Sequence, residues 1–287
     1  MSIPAAYIGV IIIWSTTPLA IKWSGEEIGF LFGLTGRMVL AVSICLLLSL
    51  LFRIKLPWHR QARWTYVAAG LGLFFAMQLV YWSAQFIPSG WISVIFGLSP
   101  ILTGVMAAVW LTEKALTPTR IGGVLLGVGG LAFIFTSGQT LGQEAYFGIV
   151  GVLLSTLVHS VSAVTVKRID AQLPGLAVTT GGLLVAVPLY LILFFMTGEV
   201  VPATVPNRAL ISILYLGIVG SVLGFTLYFY VLRHVEATRV ALITLLTPVM
   251  ALFLGNVFNG EPITPETWAG AAMIMLGLLL FEYRHRA

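Results

Sequence analysis

The chain has 287 residues, of which 59% are apolar and only 9% charged, with a formal net charge of +5. An ordinary soluble domain carries about 25% charged residues, so this chain cannot clothe a globular surface in water. Soluble enzymes, nucleic-acid binders and disordered chains are excluded as classes. A membrane span needs about 20 apolar residues at roughly 1.5 Å of rise each, and ten spans leave about 29 residues for each helix with its connection.

Span 1, over 5–22, carries Trp14 near its middle with Ser15 and Thr17 beside it. An indole and hydroxyls at that depth offer a stacking surface to a solute. The start of the chain has no basic n-region of the kind a cleaved signal peptide carries, so this reads as a retained span. Span 2, over 30–52, holds Arg37, the one cation well inside a span. Burying it costs several kcal/mol unless it is paired or snorkels. It either meets a substrate carboxylate or reaches the outer headgroups, and snorkelling is the plainer reading. The lone cysteine, Cys45, sits in the same run and reads as a small core residue, leaving no disulfide or cysteine metal cluster.

Span 3, over 64–85, places Gln78, Tyr81, Trp82 and Gln85 on one broad helical face. Such a face is costly toward lipid and suits a pocket for a partly apolar solute. Span 4, over 90–111, contains Ser93 and Pro100. The proline frees the carbonyl of Phe96, which needs a partner in protein or a wet cavity. Glu113 follows at the boundary, and Thr117-Pro118 opens span 5, over 118–136.

Span 6, over 145–166, holds His159, the only histidine inside a span. An imidazole there binds solute, carries a proton or bridges helices by a hydrogen bond. Spans 7 and 8 cover 174–196 and 209–231, and Thr226, Phe229, Tyr230 and Arg233 of span 8 answer the face on span 3. Span 9, over 238–258, contains Thr244 and Pro248, with Glu261 just beyond it. Thr264-Pro265 then opens span 10, over 266–283. Threonine before proline is a helix start, so Glu113 and Glu261 read as a tether or gate at tight turns rather than as proton sites.

An N-terminus in the cytoplasm puts twelve of the fifteen Lys and Arg residues inside and leaves Lys22, Arg37 and Arg208 on the outer half. The positive-inside rule then places both termini in the cytoplasm and accounts for the net charge without any nucleic acid. Trp23, Trp58, Trp64 and Trp268 fall near helix ends, as interface belt residues do.

The chain also repeats itself. Segment 93–113 lies over 241–261 without a gap, aligning Pro100 with Pro248 and Glu113 with Glu261. TPTRIGG (117–123) then matches TPETWAG (264–270), AYIGV (6–10) matches AYFGI (145–149), and TGRMVLAV (35–42) matches TGGLLVAV (180–187). Five spans per copy is an odd number, so the copies enter the membrane from opposite sides, as in alternating-access transporters. The fold class is therefore all-α membrane protein, ten helices in two inverted repeats over 1–137 and 138–287.

With WSTTPLAIK in span 1 and SP…WLTEKALTPTRIGGVLLGVGG answered by TP…NGEPITPETWAGAAMIMLG, the chain resembles the EamA family of the drug/metabolite transporter superfamily. The family's first span usually carries Trp-Gly where this chain has Trp14-Ser15. The resemblance implies an exporter of small metabolites in a bacterial inner membrane, with no cofactor. Neutral or aromatic amino acids lead the substrate classes, and other metabolites or drug-like compounds are the alternative. Trp14, Gln78, Tyr81, Trp82, Ser93, His159, Thr226, Tyr230 and Thr244 are the expected substrate contacts. Pro100, Pro248, Glu113 and Glu261 are the expected hinges or gates, with a carboxylate or proton role open to Arg37 and His159. Channel and intramembrane-enzyme readings lack a filter, a charged ring or a nucleophile with its base. The expected partners are a small solute and the bilayer, with no metal, for a monomer or weak dimer.

Overall fold

A computed structural model describes residues 2–111, 118–136, 144–245 and 247–282. Every regular element among them is helical. Helices α1 (Ile3–Gly25), α2 (Phe30–Leu51) and α3 (Arg60–Ser83) occupy the first three apolar runs. The fourth run divides into α4 (Ser89–Phe96) and α5 (Ser99–Trp110), followed by α6 (Pro118–Thr136), α7 (Ala145–Ile169) and α8 (Gly175–Met196). Helix α9 (Asn207–Tyr215) passes through a π-helical stretch, Leu216–Leu223, into α10 (Gly224–His234). The ninth run divides into α11 (Ala237–Ala241), a 3-10 turn (Leu242–Leu245) and α12 (Thr247–Asn259), and α13 (Pro265–Glu282) follows. Among the described residues, seven helical stretches are long and apolar enough to cross a membrane.

Local chemistry sets the helix ends. Ser2 Oγ accepts the Ala5 amide at 3.4 Å, with Pro4 in the first turn of α1. Thr264 Oγ1 accepts the Thr267 amide at 3.3 Å at the start of α13, the capping that a Thr-Pro pair predicts.

The two matched prolines do not kink continuous helices. Pro100 and Pro248 each stand second in a new helix, α5 and α12, after the chain has already broken. Proline is tolerated there because a first-turn amide has no intrahelical partner to lose. The Thr244 carbonyl that Pro248 frees accepts the Thr247 hydroxyl at 3.2 Å. A Cβ on Gly97, in the first break, would lie 3.7 Å from Pro248 Cγ, so the two interruptions pack against each other.

Helix α1 is central, touching α9, α10 and α12, while α3 lies on α7 and α8. Small polar side chains tie these contacts: Ser155 Oγ donates to the Ala76 carbonyl at 2.7 Å and Ser162 Oγ to that of Ala68 at 2.9 Å. Tyr190 Oη donates to the Leu73 carbonyl at 2.8 Å. Exposed Ile12, Leu50, Phe195 and Met196 lie on the outside of the bundle, a surface suited to hydrocarbon rather than water.

Helices α6 and α13 meet backbone to backbone. A Cβ on Gly277 would stand 2.6 Å from the Gly123 carbonyl and 2.8 Å from the Gly127 amide, the small-residue contact that lets helices close up in lipid. Gly277→Ala is expected to destabilise the protein by about 1–3 kcal/mol through overpacking. Gly122→Ala, whose Cβ would meet only Leu280 at 3.5 Å, is expected to leave the thermal midpoint in detergent unchanged.

Candidate functional site

The interrupted helices meet at one central cavity of about 70 Å³, room for a few water molecules. Helix α1 supplies Trp14, Thr17, Pro18 and Ile21 to its lining. Pro18 removes the amide that would otherwise bond the Trp14 carbonyl. The hydroxyls of Thr16 and Thr17 fold back onto the Ile13 carbonyl, each at 2.8 Å. The last turn of α4 contributes Ser93 and Phe96, and Thr244 and Thr247 stand astride the break before α12. Arg37, His159 and Phe225 face the same space, and Met77, Val80 and Ile92 form its apolar side.

One wall is aromatic. The Trp14 ring centroid lies 5.7 Å from that of His159 and 5.1 Å from that of Tyr228, and His159 and Tyr228 are 5.2 Å apart. Phe96 completes the cluster at 6.2 Å from His159. These edge-on and tilted arrangements suit aromatic quadrupoles. The imidazole has no hydrogen-bond partner among the described residues, so the interhelical bridge is absent and ring packing alone holds it.

Arg37 does not snorkel. It is 1% exposed, and its guanidinium turns inward to the cavity. Nε donates to Ser221 Oγ at 2.8 Å and Nη1 to Tyr81 Oη at 3.3 Å. The π-helical stretch brings Ser221 to this point, and wide turns of that kind are frequent at functional sites.

Of the expected contacts, Trp14, Ser93, His159 and Thr244 line the cavity. Tyr81 acts at one remove, through its hydroxyl on Arg37. Gln78 and Thr226 do not line it, and each has a buried side-chain oxygen without a partner. Trp82 packs instead on Phe86, at 5.0 Å between centroids. Tyr230 lies against His234 at 4.5 Å, and Tyr228 stands behind the cavity wall, packed on Trp14 and His159. Backward extension of the repeat chose Thr226 and Tyr230 on α10, whereas the residue this helix gives to the cavity is Phe225. Gly224 is the signal that could have found the right face, since a Cβ there would come within 3.4 Å of Trp14 Nε1.

The family model described as the EamA-like transporter family matches residues 2–136 and 146–283. The chain belongs to this family. It is 27% identical to the uncharacterized transporter YoaV of Bacillus subtilis, over 95% of this chain and 94% of that one. It is 24% identical to a probable terminal-alkyne amino-acid exporter of Streptantibioticus cattleyicolor, over 95% and 93% of the two chains. A solved structure titled "Crystal structure of protein" superposes with a TM-score of 0.73 at 19% identity, covering 100% of this chain and 99% of that one, which shows a common fold. The protein is thus a multi-pass membrane protein of a transporter family, with a lipid bilayer and a small solute as its partners.

In a transporter the closures at either end of the cavity matter as much as the cavity. At the end where α1 finishes, Glu261 is buried, 7% exposed. Its carboxylate accepts the Ser89 amide and hydroxyl at 2.9 Å each, the Gly90 amide at 3.3 Å and Asn259 Nδ2 at 3.0 Å. Lys22 Nζ stands 3.7 Å away as the ion-pair partner. The carboxylate thus sits on the first amides of α4, where the helix dipole also favours an anion. Trp23 is tied into this cluster: its Nε1 donates to Asn259 Oδ1 at 2.9 Å, and Arg208 lies 4.3 Å over its ring. At the other end Tyr7 Oη donates to the Arg239 carbonyl and Lys167 Nζ to that of Leu232, at 2.8 and 2.9 Å. Glu113 lies outside the described residues.

Among the described residues, no three His, Cys, Asp or Glu side chains converge as a metal site. Glu261→Gln is expected to cost about 1–3 kcal/mol by leaving buried donors poorly paired. Glu144→Gln, on an exposed residue, should unfold like the parent protein; equal midpoints for both variants would remove Glu261 from the closure.

Proposed function

We propose that the protein is an alternating-access exporter of small metabolites, with the central cavity as its solute site. Its ten spans form two inverted five-helix halves, 1–137 and 138–287. The double family match over 2–136 and 146–283 supports that division, as does the gapless overlay of 93–113 on 241–261. The observation that carries the reading is that the paired helix breaks, at Phe96 and at Thr244–Thr247, both open onto one cavity. Matched interruptions at the interface of inverted halves are the mark of a transport site.

The distribution of Lys and Arg supports cytoplasmic termini and a bacterial inner membrane. In that orientation the Lys22–Glu261 cluster is the outer gate, and it is closed. Rocking of one half against the other separates α1 and α4 from α12 and opens the cavity outward, the gating role expected of Glu261. The matched breaks beside Pro100 and Pro248 act as hinges. Trp14, Ser93, His159 and Thr244 contact the solute directly, Tyr228 backs Trp14 and His159, and Tyr81 holds Arg37. Neutral or aromatic amino acids are the first substrate class, a reading supported by the aromatic wall and by the amino-acid exporter among the relatives. The protein works as a monomer, with its small-residue helix faces used internally, and carries out transport rather than catalysis.

The test is uptake of radiolabelled amino acids into proteoliposomes, with and without an imposed pH gradient. Trp14→Ala, His159→Ala and Tyr228→Ala are expected to lower uptake at least about tenfold, the scale of one lost interaction of roughly 1.4 kcal/mol. Tyr230→Ala should transport normally. Normal uptake by the first three variants at equal expression would sink the site. For topology, single cysteines are placed in a Cys45→Ser background, where Gln61→Cys should react with an impermeant maleimide only after permeabilisation and Ala203→Cys in intact cells.

A further inference from the structure

Arg37 is a buried cation without a counter-ion among the described residues. Among the described residues its hydrogen-bond partners are the hydroxyls of Ser221 and Tyr81, with the Tyr81 ring centroid 5.9 Å from its Cζ, and the hydroxyls engage only Nε and Nη1 out of five guanidinium N–H donors. The ion pairs among the described residues are Lys22–Glu261, Arg208–Glu26 and Arg239–Glu236, none of which involves it. Among the described residues, the cavity lining holds no Asp or Glu. A desolvated charge of this kind is costly unless something pairs with it, and the missing anion has only the cavity from which to come.

From this we infer that Arg37 is the carboxylate subsite of the cavity and that the occupant it favours is a net anion: a monocarboxylate with an apolar or aromatic body and no free ammonium group. The inference rests on the transport reading above and moves its first substrate class from the amino acids to carboxylates of the same body that lack the ammonium group. The carboxylate pairs with the guanidinium donors left free, in the planar geometry that suits arginine. The body lies against Trp14 and the apolar side of Met77, Val80 and Ile92. An amino acid enters by the same carboxylate, but its ammonium finds only hydroxyls, the imidazole and ring faces, with no acid to pair it. An amine lacking the carboxylate meets the uncompensated charge of Arg37 and is repelled.

Three matched probes separate these cases: 3-phenylpropionate, phenylalanine and 2-phenylethylamine, titrated calorimetrically into the purified full-length protein. The acid is expected to bind at least tenfold more tightly than the amino acid, and the amine not at all. Arg37→Gln should lose at least tenfold for the acid, with part of that loss restored by Arg37→Lys. The ranking on the unaltered protein is itself a test, should either variant fail to fold. Equal or tighter binding of phenylalanine, binding of the amine, no binding of any probe, or a ranking unchanged in Arg37→Gln would each overturn the inference. Proteoliposome uptake reads the transport proposal separately. Uptake of phenylalanine with no preference for the acid would leave transport standing and remove the anion site, whereas tight acid binding without uptake of any probe would do the reverse.

Discussion

Inside a bilayer an unpaired backbone amide or carbonyl has no water to turn to, and this constraint organises the molecule. A chain made only of unbroken helices would satisfy it everywhere and would have nowhere polar to hold a solute. Here the regular ladder is interrupted at Pro18 in α1, between α4 and α5, along Leu216–Leu223 and between α11 and α12. Each of these four interruptions adjoins the central cavity or Arg37, the residue that faces it, whereas Pro188 lies on the exposed side of α8. Hydroxyls repair part of the damage, as Thr247 does for the Thr244 carbonyl. The remaining polarity gives the cavity its character. Irregular backbone and solute site thus have one cause, since only a protein-lined interior can pay for either.

The amino-acid sequence made the helices, their order and the two broken runs legible, because long apolar stretches and matched prolines are local signals. Trp14 and His159 were legible for the same reason: a large polar-edged ring in the middle of an apolar run is conspicuous. What escaped was rotational phase. The spans are apolar on nearly all sides, so periodicity points to a helix without saying which way it turns, and a π-helical stretch has no sequence signature of its own. Tyr228 and Ser221 were therefore missed in favour of Tyr230. Arg37 was placed at the right depth and turned the wrong way, since the choice between lipid headgroup and cavity depends on partners 44 and 184 residues away. The partners of Trp23, Asn259 and Arg208, were hidden for an equally physical reason, because they are distant in the chain.

The two polar assemblies differ in kind. Around Glu261 almost every donor has an acceptor, and carboxylate, amides, amide side chain and lysine form a set that is cohesive when joined and costly when half-joined. Such a set is bistable rather than elastic, as the proposed outer gate requires. The cavity is deliberately incomplete by comparison: an imidazole held only by rings and a guanidinium with donors to spare. A closed surface keeps its bonds, and an incomplete one waits for a visitor.

A single fixed cation midway through the bundle also has an electrical meaning. In the proposed alternating-access cycle the membrane potential falls across whichever side of the cavity is shut, so switching the open side moves Arg37 from one end of the field to the other. That displacement is worth about 2.3 kcal/mol per 100 mV for one elementary charge. An empty carrier is drawn toward the negative, cytoplasmic face, while a carrier whose arginine is neutralised by a bound anion feels no such pull. With the proposed orientation, the resting potential resets the unloaded protein inward and leaves the loaded one free to turn, a rectification that needs no coupled ion and would register as a voltage-dependent return step in current recordings.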